Sequence, residues 1–570
     1  MMERNGEETE PPPERLSAQS GPGPAPALVP LLAFVLGIST ARLTAGLGSP
    51  LVALPMLVAG LTVLTPGVAG SPKARWRCLR GRLVLCLVPA LVGFGWSAYR
   101  MPLPVQTGQA WRQLPPRAFN GELKVERIWR QPDTWDRVTG LARIQAPDTE
   151  WHGERVYAAL KAPGPAQPAV GRTAVWSVRG VLEPLNDAAL SGGNDFLESL
   201  RSRGVGWTLG RGDWRRESQA PARHEQWLQA ARNRIKTALA TGAQPADRAI
   251  LRALILGDRT ALSEAQAARF KNTGTLHFFA VSGLHVGLLA GALIGGFRLL
   301  GVPRPWQGWL MLPGCAVYVG LAGMTVSAQR AFLMLAAWVV ADACLRQARP
   351  LPAWTLAAWC ALLLDPHAIG EAGFLLSFGV VAALLVYGVP WAATLQAWLA
   401  YPWRWVPEPD RSLPVRGLLR IGRILTGAGA ISLAAWLASS PIIMTAFERM
   451  TPWALVLNVP LVLLVGLALP LGLLGGFAAT CGFPRVADAV WRLAEPLAGW
   501  MDGLTGVVTG WPAAVIPTPG LPEWFPWLAW LGLFAVPILL TRARTWPWPA
   551  ARRVGAGLSA SLLVLAAWLS

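Results

Sequence analysis

LRALILGDRTALSEAQAARFKNTGTLHFFAVSGLHVGLLAGALIGGFRLLG, residues 251–301, joins two kinds of chain in one stretch. The first half is polar and broken by Gly257 and Gly274; the second is apolar over the roughly 20 residues that a bilayer crossing needs. At the junction stand Thr273, Gly274, Thr275, His277, Ser282, Gly283 and His285. Polar groups beside a span are costly unless they face a water-filled cavity or a bundle interior. Gly283 is placed to break the helix and leave backbone N–H groups free. Half-helix ends of that kind bind anions, a chemistry suited to passing phosphates.

The rest of the chain is membrane-like. Hydrophobic residues make up 53% and charged residues 15% of the 570 residues, where a soluble domain carries about 25% charged. Mean hydropathy is +0.38. Candidate spans lie near 27–47, 51–70, 82–99, 276–300, 307–325, 328–345, 351–365, 370–390, 425–447, 453–480, 524–541 and 553–569. This predicts a polytopic α-helical membrane protein of about 10–12 segments. The stretch 351–365 is short enough to be re-entrant, and Pro460 and Pro470 interrupt 453–480. Many of the 30 Trp sit at span ends, among them Trp306, Trp403 and Trp524, where amphipathic rings favour the headgroup layer. GC-rich codon usage would enrich Trp as well.

The net charge of +19 reads mainly as orientation charge. The basic loop Ser71 to Arg82 belongs in the cytoplasm, which places the polar stretch 101–270 outside. Simple alternation then fails near Arg542: either 453–480 crosses twice or 484–515 is not a plain loop. The six cysteines lack metal-ligand spacing and read as buried apolar residues.

The domain reading is a disordered tail at 1–24, N-terminal spans at 25–100, an extracytoplasmic β domain at 101–218, a helical connector at 219–270 and a helical membrane domain at 271–570. In the β domain Leu123 and Val125 alternate with Glu122, Lys124 and Glu126, and Val156, Ala158 and Leu160 with their neighbours. Turn signals such as Pro163-Gly164-Pro165 separate the runs. Several short strands predict a small barrel, an OB-like insert. In the connector Trp227, Ala231, Ile235 and Leu239, then Ile250, Leu251, Leu254 and Ile255, follow helical spacing. The stretch 101–270 holds 24 basic and 17 acidic residues, +7 by difference; this suits an anionic partner and equally a solvated mixed surface.

HFFAVSGLHVGLLAG resembles the central signature of the ComEC family of DNA-uptake proteins, and LGDRTALS with FKNTGTLH resembles its approach. SAQRAFLM (327–334), DPHAIGEAGFLLSFG (365–379) and SSPIIMTAFERMTPWALVLNVPLVLLVGLALPLG (439–472) are similar to further stretches of the same family, in order. GGNDFLESLRSRGVGWTL resembles the end of its extracellular domain, with Gly192-Gly193-Asn194 in place of the usual Asn-Pro-Gly. The resemblance implies a multi-pass inner-membrane channel admitting single-stranded DNA during natural transformation. It also implies partners: a cytoplasmic ATPase or helicase, a DNA receptor protein, a separate nuclease, and a second copy of the chain as homo-oligomer. The longest relatives carry a metallo-β-lactamase-like domain with a His-x-His-x-Asp-His cluster. None of the five histidines here is so spaced, so the expectation is no nuclease, no metal and no cofactor.

Pore or channel candidates are His277, Ser282, Gly283, His285, Arg330, Ser377 and Asn458. His277 and His285, eight apart, point about 80° apart on a straight helix and make poor joint metal ligands. Ser282 with His285 could form a nucleophile and base, but no Gly-x-Ser-x-Gly elbow or nearby acid accompanies them. Arg330 either reaches a phosphate or carboxylate across the bundle or snorkels to the interface. Asp365 and Glu371 pair with it or cap a helix. Asn458 before Val459-Pro460 marks a second helix break. Of the tryptophans of the β domain, Trp176 reads as core. Trp129 and Trp135, beside Arg127, Arg130 and Arg137, are candidates for stacking bases over a basic face. The rival functions are a small-solute transporter, a membrane hydrolase, and a degenerate family member without DNA transport.

Overall fold

The alternating runs close on themselves. In a computed structural model, β1 (Arg117–Arg130), β2 (Arg137–Ile144), β3 (Arg155–Lys161), β4 (Val175–Pro184) and β5 (Val205–Gln219) form a closed barrel in the order β1-β2-β3-β5-β4. All pairings are antiparallel except β3 with β5, and β4 returns to β1. This is the five-stranded Greek-key barrel expected of an OB-like fold. Leu123, Val125, Val156, Ala158, Leu160, Trp176, Val178 and Leu182 fill it. Register shifts in β1 and β5 bend the sheet into closure. At one such crossing a Cβ on Gly212 would collide with the Arg179 carbonyl.

The structure describes residues 115–130, 137–146, 151–161, 174–185, 200–201, 203–220, 222–241, 244–345, 350–522, 524–530 and 532–533, with isolated positions before 115. The N-terminal tail at 1–24, most of the spans near 27–47, 51–70, 82–99 and 553–569, the Ser71–Arg82 loop and Trp135 lie outside them. Of the first span, Leu31, Val35 and Ile38 are described as helical and buried, packed with Ala337, Ala358 and Leu362.

Three helices follow the barrel: α1 (Arg223–Ala240), α2 (Pro245–Leu256) and α3 (Glu264–Asn272). Ala231, Ile235 and Leu239 of α1 are buried as the spacing predicts, but Trp227 is 56% exposed. The helical domain continues with α4 (Gly283–Leu299), α5 (Arg304–Leu321), α6 (Val326–Leu345), α7 (Pro350–Leu364), α8 (Ala372–Ala383) and α9 (Val389–Ala400). A π turn, Leu384–Gly388, makes α8 and α9 nearly continuous. Then come α10 (Leu413–Ala446), α11 (Ala454–Thr480) and α12 (Pro484–Thr509). A small ladder, β6 (Arg449–Met450) with β7 (Ile516–Pro517), ties the α10–α11 turn to the chain beyond α12.

Four helical stretches among the described residues are long and apolar enough to cross a membrane: Val326–Ala343, Ala372–Trp403, Leu413–Ala446 and Ala454–Thr480. Gly283–Leu299 and Pro350–Leu364 are shorter apolar helices. The span read at 307–325 forms α5, which falls in neither group. In α11 the apolar window has mean hydropathy 2.4, yet only 33% of it is buried by protein. Leu467, Leu474 and Phe477 face outward at 61%, 55% and 68% exposure. Such a face belongs in lipid rather than water.

One of the two alternatives read near the C-terminal end needs correction. The stretch 453–480 is one uninterrupted helix, not two broken segments. A proline removes only one backbone donor, and in apolar surroundings the remaining backbone groups must still pair within the helix. The stretch 484–515 is largely the amphipathic helix α12, packed on α11 and α2; it is not a plain loop, in line with the other alternative.

Candidate functional site

The chain between α2 and α4 is held open by a few polar contacts. Gly257 ends α2 in the left-handed conformation (φ +68°). Asp258 then collects Arg252 (2.6 Å), Lys236 (2.8 Å) and the Thr260 hydroxyl (2.7 Å). Burial opposes its ionisation, but Lys236, Thr260 and Arg252 outweigh burial and hold its pKa well below the usual carboxylate range. From α1, Arg232 donates to the Leu321 carbonyl, fixing the connector against the end of α5. Ser263 and Gln266 form a reciprocal capping box that starts α3. At its end Thr273 and Thr275 share a 2.8 Å hydroxyl contact. Gly274 (φ +71°) lies so close to Thr451 that a Cβ would collide with it.

His277 follows in a 3-10 turn, Leu276–Phe279, with Nδ1 2.9 Å from the Gly274 carbonyl. Its ring is solvent-exposed, and so is Arg259. Desolvation lowers the pKa of Arg259.

Ser282 and His285 are close for a different reason from catalysis. The Ser282 N–H donates to His285 Nδ1 (3.3 Å), and Ser282 Oγ lies 3.1 Å from the same nitrogen. They occupy the N-cap and N3 positions of α4, the geometry of a capping box. His285 is fully buried, and its Nε2 finds no partner among the described residues. No carboxylate orients the ring, as a hydrolytic triad would require. Gly283 is the first residue of α4 and is exposed.

Arg330, in the first turns of α6, donates from Nη2 to the Gly373 carbonyl (2.7 Å) rather than to a carboxylate. Asp365 and Glu371 instead hold Arg203, which precedes β5. Ser377 is half-buried in α8. Asn458 lies within unbroken α11 with its Oδ1 buried and unpartnered, so it does not mark a helix break.

The barrel candidates separate. Arg127 is half-buried on β1 and close in charge to Arg203, Glu371 and Asp365, so it faces the helical domain. Arg137 is exposed at the start of β2. Trp129 and Arg130 end β1. Trp176 and Trp207 are core, at 0% and 6% exposure.

Sequence reasoning passed over two features. Arg259 lies within 251–301 with no local pattern to mark it. Gly283, Gly287, Gly291 and Gly295 recur every four residues on α4, and a Cβ at the last three would meet nothing within 4 Å. That spacing was visible in the sequence; the open space beside it was not. Among the described residues no group of three or more His, Cys, Asp or Glu could hold a metal ion.

Residues 254–543 match the family model described as Competence protein. The chain is 30% identical over 207 residues to ComE operon protein 3 of Bacillus subtilis (strain 168), covering 36% of this chain and 26% of that protein. It is 26% identical over 395 residues to the uncharacterized protein YcaI of Escherichia coli (strain K12), covering 65% and 48%. It is 39% identical over 150 residues to Competence protein ComA of Neisseria gonorrhoeae, covering 24% and 21%. The matched parts thus span between about a fifth and a half of these relatives' length. No solved structure matches the chain.

Proposed function

We propose, from the premise that this chain belongs to the competence protein family, that it is the inner-membrane channel through which single-stranded DNA enters during natural transformation. The observation that carries this reading is the exposed pair His277 and Arg259, set inside the matched region and directly before α4. A phosphodiester strand needs water, cationic groups and free backbone donors along its path; this junction places the exposed Arg259 beside the N-terminus of α4. The glycine face of α4 exposes backbone without side-chain bulk; the same small-residue spacing would let a second copy pack closely.

On this reading the protein is multi-pass and the barrel stands on the outer side of the membrane. The barrel receives the strand from a DNA receptor protein, and a cytoplasmic ATPase or helicase draws it in. The chain acts as a conduit rather than an enzyme, with strand degradation left to a separate nuclease. The test is a deletion strain of the source organism given marked DNA. Transformation is expected to fall at least about 100-fold and to be restored by the wild-type chain. Arg259→Glu, which puts an anion on the path, is expected to restore it poorly. Undiminished transformation in the deletion strain would overturn the reading.

A further inference from the structure

Where the barrel meets the helices, three arginines converge on two carboxylates. Arg330 of α6 is 6% exposed. Its Nη2 is satisfied by Gly373, but Nε and Nη1 have no acceptor among the described residues. A buried guanidinium with unmet donors is costly. From the barrel come Arg203, bonded to both Asp365 (3.3 Å) and Glu371, and Arg127. Burial and the Arg203 charge pull the Arg127 pKa down, while Glu371 and Asp365 offset them. Three positive groups face two negative ones, leaving one unit of positive charge and two orphaned donors at the seam.

We propose that this seam is a phosphodiester-binding subsite, in which Asp365 and Glu371 hold the place of a strand phosphate until one arrives. The inference rests on the DNA-channel reading and deepens it. A phosphodiester carries one negative charge and two non-bridging oxygens, which matches the seam's surplus charge and its two unmet donors. Carboxylate and phosphate engage the same guanidinium fork, so one can replace the other. The acids are the reachable members: their side chains are 37% and 27% exposed, against 12% for Arg203. A strand leaving the barrel would therefore meet the carboxylates first, displace them, and be drawn onto the arginines. The seam joins the barrel to α6 and to the turn before α8, so phosphate capture there would also register the strand against the helical domain.

The proposal predicts opposite effects for neighbouring substitutions. The full-length protein is placed in phosphatidylcholine nanodiscs and titrated with a fluorescent oligothymidylate. Arg330→Gln is expected to weaken binding about tenfold, or about 1.4 kcal/mol. Glu371→Gln is expected to strengthen it several-fold. Asp213→Asn, the same charge change elsewhere on the barrel, should leave affinity within about twofold. A strand of neutral methylphosphonates should be insensitive to all three. If Arg330→Gln does not fold, Arg127→Gln serves in its place. A simple latch predicts that Arg330→Gln and Glu371→Gln both lower Tm and move affinity together, and that result would overturn the proposal. So would equal binding by wild type and the arginine variants, which leaves the channel reading intact. If the wild type binds no oligonucleotide, the channel reading fails; pyrophosphate then decides, since an Arg330-dependent rise in Tm keeps the phosphate site and no rise removes it. If phosphatidylglycerol in the discs gives that rise and blocks the oligonucleotide, the site belongs to a lipid headgroup and the strand assignment falls.

Discussion

The described core of the barrel, from Phe119 to Trp214, is a cluster of apolar side chains, whereas the layer formed by α2, α3 and α12 seals charge inside it. There Arg248 is 2% exposed, bonded to Glu495 and Asp488 at 2.6 Å each, and lies over the Trp491 ring. Arg269 grips Asp502 with two nitrogens. In the barrel the backbone ladder supplies the specificity and side chains need only fill space. In the helical layer each helix satisfies its own backbone, so ion pairs are what set how one helix sits on the next. Burial opposes the Arg248 charge, but Glu495 and Asp488 outweigh it and raise its pKa. Removing one partner therefore strands the others.

Local opening free energies from hydrogen exchange on the reconstituted protein can break or sharpen this contrast. The largest effect is expected from Arg248→Ala, which leaves the buried Glu495 without its cation while Asp488 keeps Arg492: peptides of α2 and α12 should lose about 4 kcal/mol of protection, with the barrel unchanged. Trp176→Ala should cost the barrel about 3–4 kcal/mol and leave α12 unaffected. Trp176 Nε1 has no partner among the described residues, so Trp176→Phe should recover most of that loss. The smallest effect is expected from Glu126→Gln. Its partners Arg143 and Arg155 are 42% and 35% exposed, and the loss should stay under about 1 kcal/mol. A Glu126 effect rivalling that of Arg248 would show that charge organises both regions alike.

The same contrast governs how much the sequence alone reveals. Val156, Ala158 and Leu160 alternate because one face of a strand is core, and all three are fully buried. Period two is local, so the barrel was legible; its parallel β3–β5 closure was not, because no local pattern encodes it. The ion pairs of the helical layer join residues 233 to 247 positions apart, a distance no periodicity spans. At the candidate site His277, Ser282, Gly283 and His285 are neighbours in the chain and could be read together. Arg203 with Asp365 and Glu371 could not, since 162 and 168 positions separate them; the sequence offered the acids only Arg330 or a helix cap. Asn458 misled because Pro460 reads as a breaker, while an apolar setting keeps the helix whole.

Helix α10 has a consequence of its own. Its 34 residues make a rod of about 51 Å, against a hydrocarbon slab of about 30 Å. Even at an ordinary tilt of about 20° it overshoots the slab by well over 10 Å. The overshoot carries Arg416, Arg420 and Arg423 at successive turns, all exposed, beside Leu418 and Ile421. Long cationic side chains can reach the headgroup layer from several heights. A thicker or thinner bilayer would then slide along this graduated scale, exchanging one arginine for the next at the waterline. Helices elsewhere in the protein would not have to tilt to follow it.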